Sequence, residues 1–104
     1  MPDTEIQKLK SLFVENLAPV RIYLFGSYAA GTAREDSDLD FYIMLDDDAE
    51  NLADETAKAY KAIRSAKEHP VDIVVGTRSR FEKRRNVPSI ENEVSNKGVL
   101  LYER

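Results

Sequence analysis

Residues 24–41, LFGSYAAGTAREDSDLDF, contain two short pairs that bracket a polar loop. The first pair is Gly26-Ser27, at the end of an apolar run, and the second is Asp38-x-Asp40, at the start of another. Glycine ends a strand readily because it tolerates turn conformations that other residues avoid. The stretch therefore predicts a strand, a tight turn that continues into a short helical turn, a loop, and a second strand.

The two predicted strands differ in their side-chain pattern. Residues 20–25 are rich in β-branched and aromatic residues, which favours a strand. Residues 39–45 alternate strictly, and alternating residues of a strand share one face. One face would carry Leu39, Phe41, Ile43 and Leu45, and the opposite face would carry Asp38, Asp40, Tyr42 and Met44.

The remaining chain reads as helices and short strands. Apolar residues at helical spacing predict a helix over residues 4–17, and a longer helix over about 49–67 is predicted to begin behind the acidic run 46–48. Further elements are a strand at 71–75, a basic helix at 78–86, a helix at 89–97 and a last strand at 99–102. This order predicts an α/β (α+β) fold, with helices packed on a small mixed sheet, in one domain spanning residues 1–104.

Composition limits the function classes. With 15 basic and 19 acidic residues the formal charge is −4, which disfavours broad nucleic-acid binding. The chain has no cysteine, so disulfides and thiolate metal sites are excluded. No apolar run has the length of a membrane span and no signal-peptide core is present, so we expect no membrane association and a cytoplasmic location.

Three aspartates suggest a metal site. Asp38 and Asp40 lie on one face of a strand, and Asp72 interrupts the apolar run 71–75. Neighbouring carboxylates repel unless a cation lies between them, and Mg²⁺ prefers oxygen ligands. The alternatives are that the pair is a solvated turn and that Asp72 points outward from an edge strand.

The Gly26-Ser27 turn is a candidate phosphate site, since glycine allows close backbone approach and a helix start offers free N–H groups. The alternative is a plain tight turn. Arg34, in the loop between the two pairs, either meets a triphosphate or is an ordinary surface arginine. The basic cluster at 78–85 is either a solvated face or a docking surface, and His69 is expected to be a loop residue.

Residues 24–41 closely resemble the motif of the minimal nucleotidyltransferase family, the smallest branch of the DNA polymerase beta-like superfamily. That motif is Gly-Ser, a spacer, Asp-x-Asp and a later acid on another strand. HPVDIVV at 69–75 matches the later acid, and KGVLLYE at 97–103 resembles the usual family ending. One departure is Tyr28, where relatives often carry a basic residue.

The resemblance implies a site and a reaction. Asp38 and Asp40 would bind two Mg²⁺ ions, and Asp72 would complete the site and help to deprotonate the acceptor hydroxyl. Gly26 and Ser27 would hold the nucleotide phosphates. ATP would donate AMP and release pyrophosphate, a displacement that two metal ions can assist.

The resemblance also implies a partner. Family members of this size often act as the antitoxin of a HEPN-type ribonuclease toxin, within an oligomeric complex, by adenylylating a tyrosine of the toxin. Two alternatives stay open at this point. The protein could neutralise its partner by binding alone, or it could adenylylate a small-molecule hydroxyl.

Overall fold

The computed structural model describes residues 2–104, which form five helices and four strands around one sheet. The helices are α1 (Asp3–Leu17), α2 (Gly26–Ala30), α3 (Leu52–Ile63), α4 (Arg78–Arg84) and α5 (Ile90–Lys97). The strands are β1 (Arg21–Phe25), β2 (Leu39–Leu45), β3 (Val71–Thr77) and β4 (Val99–Glu103). The predicted mixed sheet with packed helices is confirmed.

The strand order is β3-β2-β1-β4, with β1 antiparallel to both β2 and β4 and β2 parallel to β3. The last residue of β1 and the first residues of β2 and β3 therefore lie at the same end of the sheet. The Gly-Ser turn follows β1, the Asp-x-Asp pair leads into β2, and Asp72 lies at the start of β3. The topology thus brings all three motifs to this end of the sheet.

One face of the sheet packs against α1 and α3. The predicted apolar face of β2 is fully buried there, together with α1 side chains that recur at helical spacing. Phe13 of α1 contacts Phe41 of β2 edge to face, with 5.2 Å between ring centroids. The main buried residues of this core are Ile6, Leu9, Phe13, Ile22, Leu24, Leu39, Phe41, Ile43, Ala59 and Ile63.

The opposite face of the sheet is covered by α4 and α5. Phe81 of α4 stacks on Tyr23 and meets Tyr42 edge to face, with centroid separations of 5.7 and 5.6 Å. Val94 of α5 and Met44 of β2 also belong to this second core. Because β2 is buried on both faces, Asp40 is a polar interruption in an otherwise apolar strand.

The predicted start of the long helix is wrong. Residues 46–50 lie outside any helix, with a turn at 47–48, and α3 begins at Leu52 behind Asn51, whose side chain accepts a hydrogen bond from the Asp54 backbone N–H. An asparagine at this position satisfies a free backbone donor, which a run of acids beforehand does not. The acidic run at 46–48 makes contacts outside α3, and Asp46 forms an ion pair with Arg104 at 2.9 Å.

No helix within the described range 2–104 has both the length and the apolar character needed to cross a membrane.

Candidate active site

The register of the parallel strands brings Asp40 and Asp72 together. Asp40 of β2 and Asp72 of β3 are direct partners across the ladder, so their side chains share one face. This face is the one covered by α4 and α5. Asp72 is exposed on an edge strand, as one alternative reading expected, but it still lies beside the predicted aspartate pair.

Asp38 lies beside Asp72. Partial desolvation of the Asp72 carboxyl, followed by its interaction with the side chain and negative charge of Asp38, raises the pKa of Asp72. Two carboxylates that approach this closely favour sharing a proton or binding a cation. The structure therefore brings Asp38, Asp40 and Asp72 into one cluster, which we call the aspartate cluster.

Asp40 carries the largest electrostatic cost in the cluster. Burial, followed by the charges of Asp72, Asp38 and Glu93, raises the pKa of Asp40 to about 6. Each of these causes disfavours the ionised carboxylate. Glu93 comes from α5, so this helix adds a fourth negative charge beside the cluster. Strongly perturbed carboxylates of this kind are concentrated at functional sites.

Gly26 fits closely against Asp40. Phe25 at the end of β1 pairs with Asp40, and Gly26 then turns the chain with φ of 74°. A Cβ atom at Gly26 would lie 2.2 Å from Oδ2 of Asp40. Only glycine suits this position, since both the positive φ and the close approach exclude a side chain. The Gly-Ser turn and the carboxylate are therefore built as one unit.

A groove adjoins the Gly-Ser turn. It has a volume of about 480 Å³, within the range of ligand pockets, and lies between α5 and the segment formed by α2 and the start of the loop after it. Gly26 and Ser27 line one wall, and Asn92 and Lys97 line the other. The sequence reasoning missed the α5 residues, since nothing in their local pattern places α5 opposite a turn so distant in sequence.

The three carboxylates of the aspartate cluster suit a hard divalent cation, although they are not close enough together to enclose one. Carboxylate oxygens are the ligands that Mg²⁺ prefers, and their mutual repulsion would be offset by a cation. Within residues 2–104, however, no group of three or more histidine or acidic side chains is already gathered closely enough to hold a metal ion. We infer that cation binding would have to draw the aspartate cluster together.

Arg34 does not line this groove. It lies on a separate cavity of about 520 Å³, together with His69 and Tyr28. Tyr28 is buried, and its hydroxyl donates a hydrogen bond to the Arg34 carbonyl oxygen at 3.2 Å. The role of Arg34 as a phosphate ligand stays a prediction, and Arg34 lines a different cavity from Gly26 and Ser27.

The basic helix α4 serves mainly to neutralise a buried acid. Glu91 is 1% exposed, and its carboxylate accepts hydrogen bonds from Arg84 at 3.1 Å, from Arg80 at 3.3 Å and from the Tyr42 hydroxyl at 2.8 Å. Although burial raises the pKa of Glu91, the hydrogen bonds from Tyr42 and Arg84 outweigh it and lower that pKa. These contacts support a structural reading of the cluster at 78–85.

His69 lies in a loop, as expected, but it is paired. Its ring contacts the carboxylate of Glu5, which is 4% exposed and also accepts the backbone N–H groups of Glu68 and His69. Burial opposes ionisation of Glu5, and these hydrogen bonds nevertheless lower its pKa. The pair fixes the loop that leads into β3 and thereby the start of the strand that carries Asp72.

The chain matches a known domain family over most of its length. Residues 6–101 match the sequence model of the nucleotidyltransferase domain, so the chain belongs to that family. A search of curated protein sequences finds no significant match. The predicted family resemblance is confirmed at this level.

Solved structures of toxin–antitoxin complexes share the fold. One with AMP-PNP is 26% identical, with a TM-score of 0.58, and the alignment covers 100% of this chain and 75% of that chain. The toxin–antitoxin MntA-HpeT with two aspartates changed to glutamate is 24% identical, with a TM-score of 0.66 and coverages of 93% and 72%. A MntA-HpeT mutant with a tyrosine changed to alanine is 23% identical, with a TM-score of 0.59 and coverages of 100% and 74%.

Proposed function

We propose that this protein is a Mg²⁺-dependent nucleotidyltransferase that transfers AMP from ATP to a tyrosine hydroxyl of a HEPN-type toxin, and that it acts as the antitoxin of that toxin. One observation carries the proposal. Asp40 and Asp72 are register partners on one face of the sheet, Asp38 joins them, and Gly26 lies against the Asp40 carboxylate.

The proposed step is an in-line displacement. The acceptor oxygen forms a bond to the α-phosphorus of ATP while the bond from that phosphorus to the bridging oxygen breaks, and pyrophosphate leaves. When bound, Mg²⁺ would stabilise negative charge on the attacking and leaving oxygens. Asp38, Asp40 and Asp72 would hold the metal, and the Gly26-Ser27 turn would orient the phosphates.

Asp72 is the residue we propose as the proton acceptor. It is exposed, so an incoming hydroxyl can reach it, and a carboxylate within reach can accept the hydroxyl proton. Asp40 is more deeply placed and is less accessible to an acceptor. The two acids would therefore have different tasks within one cluster.

The partner is proposed from likeness to the complexes described above. The neighbour with AMP-PNP is itself a toxin–antitoxin structure, and this chain aligns with it along its whole length. A partner protein that brings its own hydroxyl would supply the acceptor. This partner would form an oligomeric complex with the present protein.

The test is transfer of label from ATP. The protein is incubated with Mg²⁺, the HEPN-type partner and ATP labelled at either the α- or the γ-phosphate. We expect label on the partner from α-labelled ATP only, and none with Asp38→Asn/Asp40→Asn. Asp48→Asn is the matched control, because Asp48 is an exposed acid beyond the opposite end of β2.

A non-catalytic antitoxin is the second candidate. It is supported by the open arrangement of the aspartate cluster, since no group able to hold a metal ion is preformed in the described chain. Full neutralisation of the toxin by the double mutant, with no label on the partner in the presence of wild-type protein, would establish binding alone and overturn the enzymatic proposal.

A further inference from the structure

The groove beside the Gly-Ser turn has a second wall with chemistry of its own. Gly26, Ser27 and Thr32 lie on the wall contributed by α2 and the loop that follows it. The α5 wall presents the amides of Asn92 and Asn96, the carboxylate of Glu93 and the ammonium of Lys97. Amide and ammonium donors can hydrogen-bond to phosphate oxygens and sugar hydroxyls, whereas the carboxylates of the nearby aspartate cluster suit a cation.

Lys97 is the cation on the lining of this groove. Tyr28, directly after the Gly-Ser pair, is buried and its hydroxyl donates a hydrogen bond to the Arg34 carbonyl oxygen, so it offers no charge there. Arg34 itself lines the other cavity. Arg80 and Arg84 are held by Glu91. A phosphate in the groove would therefore meet one positive side chain, and that side chain comes from α5.

Lys97 is also available for a ligand. It is exposed, and none of the ion pairs found among residues 2–104 includes it. Glu93 lies one helical turn before it on the same side of α5, close enough to Asp40 for its charge to be felt there. α5 therefore runs from the aspartate cluster towards the far end of the groove, with the acid nearer the cluster.

We propose that Lys97 binds the phosphates of the donor nucleoside triphosphate, with Asn92 and Asn96 on the same wall. The inference rests on the proposed function and specifies the donor subsite of the same site. Ser27 and Thr32 face the same phosphates from the opposite wall. The aspartate cluster then lies at one end of the bound triphosphate and Lys97 at its side.

A purely structural role for Lys97 is possible on general grounds, since a cation in the last turn of a helix interacts favourably with the helix dipole. The test must therefore measure ligand binding, which the interaction of Lys97 with the helix dipole would not change. Binding of tripolyphosphate, of a non-hydrolysable ATP analogue and of adenosine is measured by calorimetry, in Mg²⁺, for the wild type, Lys97→Ala and Lys97→Arg. Lys83→Ala in α4 is the matched control, because Lys83 is an exposed lysine outside the groove.

We expect Lys97→Ala to weaken binding of the ATP analogue and of tripolyphosphate by about tenfold, the usual value of one charge-assisted contact. Adenosine binding should be unchanged, Lys97→Arg should restore most of the affinity, and the salt dependence of binding should become shallower. Lys83→Ala should behave as the wild type.

Two failures can be told apart. If the wild type binds the analogue or transfers AMP but Lys97→Ala binds the analogue equally well, this inference is overturned and the proposed function stands. If the wild type neither binds the analogue nor transfers AMP, the proposed function itself is wrong, and the proposed donor subsite is wrong for the same reason.

Discussion

Two acids on the same side of the sheet, one buried and one half-buried, have opposite surroundings. Glu91 of α5 is almost fully buried and receives two arginine side chains and the Tyr42 hydroxyl, and its pKa is lowered. Asp40 of β2 faces Asp38, Asp72 and Glu93, and burial with these charges raises its pKa to about 6. The fold neutralises one carboxylate and leaves the other among like charges.

The difference separates structure from function. A buried charge is costly unless it is paired, and the pairing of Glu91 joins α4 and α5 to β2. The aspartate cluster contributes no such pairing, so its like charges oppose folding unless a ligand neutralises them. A protein is expected to retain such unfavourable repulsion where the ligand that neutralises it is needed for activity. The predictions that follow test each side of this contrast.

The largest effect is expected for Asp40→Asn. The substitution removes one charge from the cluster, so AMP transfer should fall about 1,000-fold, as with loss of a central electrostatic group. Melting temperature, measured by circular dichroism without metal, should not fall, because a repelled carboxylate has been replaced by a neutral amide. A marked loss of stability would mean that Asp40 is a structural acid like Glu91.

The second effect concerns the fit between the turn and the cluster. Gly26→Ala would place a methyl group 2.2 Å from the Asp40 carboxylate, so we expect transfer to fall about 100-fold. Gly31→Ala is the control, because Gly31 has a similar φ of 77° but nothing within 4 Å of the added carbon. If both variants lose transfer equally, backbone strain and not displacement of Asp40 is the cause.

The third prediction concerns removal of the Glu91 carboxylate. Glu91→Ala leaves Arg80, Arg84 and Tyr42 without their common acceptor, and should lower the free energy of unfolding by about 2 kcal/mol in urea titrations. Glu82→Ala removes an exposed acid that pairs with Arg85 at 3.4 Å, and should change that free energy by less than about 0.5 kcal/mol. Equal effects would show that the Glu91 pairing adds nothing specific.

The smallest effect is the pH dependence of the same pairing. The folded-state pKa of Glu91 lies below its ordinary value of 4.5, so its contribution to stability is fully present above pH 4.5 and is lost as the pH falls through the folded value. Urea titrations between pH 6 and about 3 should show a steeper loss for the wild type than for Glu91→Gln. Identical slopes would contradict the lowered pKa.

The local parts of the site could be predicted from sequence. Strict alternation places Asp38 and Asp40 on one face of β2 because strand geometry has a period of two. The spacing of the Gly-Ser pair and the Asp-x-Asp pair indicated the strand–turn–strand unit, which the structure has. Asp72 stood out because it interrupts an apolar run, although only the register with β2 shows which residue it faces.

The remaining features depend on contacts between distant segments. Local sequence does not indicate that Glu93 and Lys97 of α5 lie beside Gly26, nor that two arginines of a basic helix bind a buried acid on the next one. The start of α3 was mispredicted for a similar reason. The acids at 46–48 resemble a helix start, but their partners are Arg104, Arg78 and the Ser79 backbone N–H, which other elements supply.

The most direct test of the contrast is cation binding. Mn²⁺, a spectroscopic substitute for Mg²⁺, is titrated into the protein with a non-hydrolysable ATP analogue, and free Mn²⁺ is followed by electron paramagnetic resonance. The wild type and Glu91→Gln should bind Mn²⁺ alike, and Asp40→Asn should bind it at least about tenfold more weakly. Equally tight binding by Asp40→Asn and the wild type would contradict the assignment of the aspartate cluster as the metal site.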